Sequence, residues 1–173
     1  MIHLLPSGCK YVNIPKCGSS SVRDALGKCR RRPQDGNRNW DPVQLPWDGS
    51  KYVAIVRDPL ERFVSCIHYL NRWFAEPWHE PFAYETWIAM DGKYPHRRMM
   101  EHLREQHLFI QDPSKFYKFY DISEMDQFFA DHGLGAVKHV NRNTSEIMPV
   151  TDEVVEWVKF KYQKDYEMLE QIK

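Results

Sequence analysis

The chain has 173 residues, 42% of them hydrophobic and 14% aromatic, which is enough for one core and short for two full domains. A single domain over 1–173 is therefore expected, and wholesale disorder is not. Lys plus Arg number 24 and Asp plus Glu number 24, so no bulk field draws the chain to nucleic acid or an acidic membrane, and any anion site must be local. Cys9, Cys17, Cys29 and Cys66 show no CxxC spacing and read as reduced thiols. MIHLLPSGCK lacks a basic-then-apolar leader, and no run of about 18 apolar residues occurs, so a cytoplasmic protein without a membrane span is expected.

In chain order, KYVNI at 10–14 is short, β-branched and aromatic, and Pro15 stops it, which predicts a buried strand. The loop KCGSSS at 16–21 then leads into a helix with Val22, Ala25 and Leu26 on one face. Residues 33–47, rich in Pro, Asn, Asp and Gly, read as a loop. KYVAIV at 51–56 predicts a second buried strand, with Asp58 as N-cap and Pro59 in the first turn of the helix that follows. That helix turns Leu60, Phe63, Val64, Ile67 and Leu70 to the core and leaves Arg62, Ser65 and Tyr69 on its other face. The aromatic stretch 74–94 is helical only in YETWIAM, and whether it forms a lid stays open.

Pro95 starts a helix through HRRMMEHLREQ, FYKFYDI at 116–122 reads as a third strand, and Ser123 caps a helix over EMDQFFAD that Gly133 ends. A short strand is expected at 135–140, then the polar loop NRNTSE. Thr151 opens a long final helix with Asp152, Glu153 and Glu156 near its positive end. Strands alternating with helices predict an α/β, P-loop-like three-layer fold with a central, mainly parallel sheet flanked by helices and its ligands at the carboxyl ends of the strands.

Both informative loops fall at those ends. After the first strand, Gly18 permits a tight turn, so that the amides of Cys17, Gly18, Ser19, Ser20 and Ser21 fan out at a helix start where an anion is favoured. Lys16 adds a charge and the three serines add hydroxyl donors. The order differs from GxxxxGK[ST], since Lys16 precedes Gly18. After the second strand, Arg57 at the strand end and Ser65 on the following helix suit a second phosphate on the same rim. The plain alternatives are an ordinary Ser/Gly loop and an Arg57 that pairs with Asp58.

Pro15-Lys16-Cys17-Gly18-Ser19-Ser20-Ser21 resembles the 5′-phosphosulfate loop of sulfotransferases that use 3′-phosphoadenosine 5′-phosphosulfate (PAPS), and the run from Arg57 to Ser65 resembles their 3′-phosphate motif, RDPxxRxxS. Weaker matches are His102 with Gln106 (HxxxQ), His139-Val-Asn141 before a Ser/Thr loop, and Tyr162 followed by Asp165-Tyr166. The closest likeness is to the membrane-bound Golgi carbohydrate sulfotransferases. The chain lacks their anchor, lumenal stem and cysteine pairs, which fits a small cytoplasmic form from bacteria or their viruses. The resemblance implies transfer of a sulfuryl group from PAPS to an acceptor hydroxyl or amine, leaving 3′,5′-diphosphoadenosine, with a small-molecule or carbohydrate acceptor and no metal.

In that reading Lys16 is catalytic, stabilising charge on the bridging oxygen as the S–O bond breaks. Arg57 and Ser65 hold the 3′-phosphate, and Arg142 closes over the nucleotide unless it is a solvated loop residue. The general base is His102, with His68, His96, His107 or a carboxylate as alternatives. Cys17 beside Lys16 at a helix start should have a lowered pKa and react readily. Trp73, Phe74, Trp78, Phe82 and Trp87 line an acceptor pocket or form a satellite core. The rival functions are a P-loop small-molecule kinase and a non-catalytic nucleotide-binding module. The acceptor and the oligomeric state are not readable.

Overall fold

The sheet is built from short segments of three to six residues. The structure, a computed structural model, describes residues 1–28, 42, 44–74, 82–91, 93–94, 97–137 and 148–172. Within them four strands, β1 (Ile2–Leu4), β2 (Lys10–Val12), β3 (Tyr52–Val56) and β4 (Phe116–Asp121), lie in the order β1-β2-β3-β4. β1 is antiparallel to β2, while β2, β3 and β4 are mutually parallel. Every residue of β3 is buried, as a central parallel strand requires. Tyr11 pairs with Val53 and Val12 with Ala54, so the carboxyl ends of β2 and β3 are neighbours. That adjacency brings the two candidate loops to one rim.

The helices are α1 (Ser19–Ala25), α2 (Pro59–Phe74), α3 (Tyr84–Ala89), α4 (Arg97–Leu103), α5 (His107–Ile110), α6 (Met125–Asp131), α7 (Asp152–Lys161) and α8 (Gln163–Gln171). Two apolar clusters hold them. One joins the sheet to α1, α5, α6 and α8 through residues such as Val22, Ile110, Phe128 and Met168. The other packs α2, α3, α4 and α7 through Phe63, Ile67, Trp87, Leu103 and Val158. No helix among the described residues is long and apolar enough to cross a membrane.

Several local expectations hold for the stated physical reasons. The Asp58 carboxylate accepts from Glu61 N–H at 3.0 Å, which caps α2. Gly133 (φ 65°) ends α6, and Thr151 Oγ1 accepts from Val154 N–H at the start of α7.

Others are corrected. β1 was not expected. Its three residues are too few to show a period, and β2 beside it supplies the pairing. Asp121, not Ser123, begins the run into α6: its carboxylate accepts from Ser123 N–H at 2.8 Å and caps a 3₁₀ turn, Ile122–Glu124, that precedes the helix. Residues 135–137 form no strand, and 138–140 lie outside the described residues. The last helix is two, broken at Tyr162, whose hydroxyl donates to Leu103 O at 2.7 Å. The helix through HRRMMEHLREQ stops at Leu103, so His102 and Gln106 do not share a helical face.

Candidate functional site

Beyond β2 the chain turns through residues 13–18 before α1. Lys16 (φ 68°) and Gly18 (φ 70°) both occupy the left-handed region. Glycine is needed at 18 for two reasons, because a Cβ there would also lie 2.6 Å from Met125 Sδ. Gly18 O accepts from Ser21 N–H at 3.0 Å and Val22 N–H at 3.2 Å, while Cys17 N–H donates to Ile14 O at 3.3 Å. Of the amides expected to fan out, those of Cys17 and Ser21 are thus already used. The amides of Gly18 and Ser19 have no backbone acceptor among the described residues. Ser19 and Ser21 are buried and Ser20 is half-buried.

Lys16 places its ammonium 4.6 Å from the centre of the Tyr69 ring. Tyr69 in turn stacks on the imidazole of His102, centroids 4.8 Å apart and planes 22° apart. Burial lowers the pKa of the Lys16 ammonium, and the charges of Arg57 and Arg72 push it the same way. Lys16 and Arg72 pair with no carboxylate among the described residues, whereas Arg57 Nε donates to Glu61 Oε2 at 3.2 Å. Cations gathered around one strand end repel one another, and an anion bound among them would relieve that repulsion.

Gln106 ties the two loops together. Its Oε1 accepts from the Cys17 thiol at 3.2 Å and from Arg57 N–H at 3.1 Å, and its Nε2 donates to Arg57 O at 2.7 Å. Its own N–H donates to Asp165 Oδ2 at 2.8 Å, and His107 N–H donates to Asp165 Oδ1 at 2.8 Å. Asp165, fully buried, also meets His107 Nδ1 at 2.9 Å. Below the loops, Arg62 donates from Nε to Pro15 O at 3.0 Å and from Nη2 to His102 O at 3.1 Å, and the Cys66 thiol donates to the same carbonyl at 2.9 Å. Arg62 is 1% exposed, so its expected place on the polar face of α2 is corrected: it is an internal strut.

The remaining candidates divide. Ser65 is half-buried on α2, and with His68, Tyr69 and Arg72 it forms an i, i+3, i+4, i+7 stripe on the helix face beside Lys16. His68 Nε2 meets the Tyr84 hydroxyl at 2.9 Å, and burial, then Arg72 and Lys16, lower its pKa. His102 is 7% exposed with its ring on Tyr69, and His107 is committed to Asp165. Cys17 is corrected outright. It is fully buried, and burial pushes its thiol up to about 12, so it is not an activated nucleophile. Trp87 is a core residue, its Nε1–H donating to Asn71 Oδ1 at 3.1 Å, which removes it from any acceptor surface. Phe82 packs on it. Arg142, His96, His139, Asn141, Cys29 and Trp78 lie outside the described residues, as do the side chains of Trp73 and Phe74.

Sequence reasoning missed Tyr69 and Arg72 as site residues, although the stripe on α2 carried the signal. A groove of about 410 Å³ lined by Asp112, Phe116, Phe119 and Ile172 opens at the amino end of β4 and contains none of these groups. Compared with protein-family models, with curated proteins and with solved structures, the chain matches none.

Proposed function

We propose that the chain is a PAPS-dependent sulfotransferase with a P-loop-like architecture, acting on a small-molecule or carbohydrate hydroxyl or amine. The single observation that carries this reading is the Gln106 bridge between the Cys17 thiol and the Arg57 backbone, which makes the PKCGSSS loop and the RDPxxRxxS loop one rim. A nucleotide with phosphates at both its 5′ and 3′ positions needs two anion sites at a fixed separation. Two loops locked together fix the backbone of both sites before binding, so that only side chains need move.

In this proposal the 5′-phosphosulfate meets the free amides of Gly18 and Ser19, with the hydroxyls of Ser19, Ser20 and Ser21 as further donors. Lys16 leaves the face of Tyr69 for the bridging oxygen, where negative charge grows as the S–O bond breaks. The move is favourable because burial disfavours the Lys16 ammonium where it rests, and an anion beside it offsets that cost. Arg57 and Ser65 take the 3′-phosphate, and Arg142 closes over the nucleotide. His102 accepts the acceptor's proton, with His68, the residue before Tyr69 on α2, as the alternative base. A sulfuryl group carries less charge than a terminal phosphoryl group, so its transfer does not call on Mg²⁺ to neutralise it.

The test is the release of 3′,5′-diphosphoadenosine from PAPS across a panel of sugar, phenol and amine acceptors in chelator, for the wild type and Lys16→Ala. Release that rises with an acceptor and falls at least about 100-fold in Lys16→Ala supports the proposal. Release no faster than Lys16→Ala with every acceptor, or phosphoryl transfer from MgATP, overturns it.

A further inference from the structure

At the opposite end of the sheet a second cluster of reactive side chains is tied together with no part in the nucleotide rim. Ser7, exposed in the turn between β1 and β2, lies with Oγ 2.7 Å from His132 Nδ1. His132, at the carboxyl end of α6, is 3% exposed. Its Nε2 is 3.3 Å from the hydroxyl of Tyr120, and that hydroxyl donates to Asp131 Oδ2 at 2.7 Å. Lys118 Nζ, 3.0 Å away, and Gln127 also donate to the Asp131 carboxylate.

The proton positions follow from counting donors. Tyr120 has one hydroxyl proton and gives it to a carboxylate that can only accept, so towards His132 its oxygen must itself accept. His132 therefore carries its proton on Nε2. Nδ1 is left as a lone pair facing Ser7, which donates to it. Burial lowers the His132 pKa, which favours the neutral ring. The result is a nucleophile, a neutral base and an orienting partner in hydrogen-bonded series, running to an ionised carboxylate.

We infer that Ser7 is a base-activated nucleophile that takes an acyl group from small activated esters, with His132 as its base and the Tyr120–Asp131 pair holding the ring. In the step, Ser7 Oγ bonds to the ester carbonyl carbon and the carbon–oxygen bond to the leaving phenol breaks. The Oγ proton passes to His132 Nδ1 and then to the departing phenolate. The resulting imidazolium is stabilised through Tyr120 by Asp131. The turn amides do not form an anion pocket, because Gly8 N–H donates to Leu5 O at 2.9 Å and Cys9 N–H donates to Ser7 Oγ at 3.4 Å. The expected product is therefore a stable acyl-serine rather than rapid turnover.

The experiment treats the folded protein with p-nitrophenyl acetate and follows acetylation of each serine by peptide mapping. Ser114 and Ser123 are internal references, both exposed, with hydroxyls that donate to Asp112 and Asp121 at 2.6 Å and with no histidine bonded to them among the described residues. Ser7 is expected to acetylate about 100-fold faster than either, and His132→Gln or Tyr120→Phe to bring it at least tenfold closer to them. Equal rates at the three serines in the wild type overturn the proposal, whether or not the variants fold. So does a Ser7 rate unchanged in a folded Tyr120→Phe or His132→Gln protein, which would make the network a latch tying the turn to α6.

Discussion

Replacing Gln106 by Met keeps the length and volume of the side chain and removes its hydrogen bonds. Three are lost: the Cys17 thiol and Arg57 N–H lose their acceptor at Oε1, and Arg57 O loses the donor Nε2. Gln106 is fully buried, so water does not replace them freely. Each of the three neutral bonds contributes about 1 kcal/mol net, for a loss of about 3 kcal/mol before any desolvation penalty at the stranded Arg57 amide and carbonyl. For a chain of this size that is a fall in Tm of about 6–12 °C. Urea unfolding at constant slope is the assay, and calorimetric affinity for 3′,5′-diphosphoadenosine on the folded variant is the second readout. The affinity should fall at least about tenfold, because the two loops are no longer held in register. A stability loss below about 0.5 kcal/mol would refute the view that Gln106 locks the rim.

Gly18→Ala should destabilise by about 2 kcal/mol, from a left-handed backbone and the clash with Met125 Sδ, and adding Met125→Ala should recover part of it in the same unfolding assay. His3 is buried with no hydrogen-bond partner for Nε2 among the described residues, and burial, then Lys28, Arg23 and the amino terminus, lower its pKa from 6.5 to about 4. A folded pKa below the unfolded one means full stability above pH 6.5 and loss as the pH falls towards 4, where only the unfolded chain takes up the proton. The loss is at most about 3 kcal/mol. His3→Phe, which keeps the stack on Tyr11, should flatten that slope, and an unchanged slope would refute the assignment. For the base, His102→Ala should lower sulfuryl transfer by about 100-fold and His68→Ala by much less, measured under donor saturation. The reverse order would transfer the role to His68.

The two candidate loops could be found in the sequence because their signals are local: a turn glycine after a strand, and an arginine with Asp and Pro opening a helix. The alternation of strands with helices predicted a mainly parallel sheet, and the parallel pairing of β2 with β3 and of β3 with β4 agrees. What could not be read depends on distant partners. Nothing in REQHLF marks a helix break, since Arg104, Glu105 and Gln106 all favour helix. The break exists because Asp165, 59 residues on, accepts from Gln106 N–H and takes the start of α5. Arg62 looked like a surface residue by period alone and is buried because two main-chain carbonyls, Pro15 O and His102 O, receive its guanidinium. Cys17 was misjudged for the same reason. Its closeness to Lys16 suggested a reactive thiol, whereas complete burial against Gln106 raises its pKa.

A rim that reads phosphates at both ends of one nucleotide should distinguish 3′,5′-diphosphoadenosine from 5′-AMP and ATP. Calorimetric titration of the wild type and Arg57→Ala with all three ligands in chelator is the check. The diphosphate should bind the wild type far more tightly than 5′-AMP or ATP, and Arg57→Ala should remove this preference by weakening only the diphosphate. Equal affinity for 3′,5′-diphosphoadenosine and 5′-AMP in the wild type would contradict it.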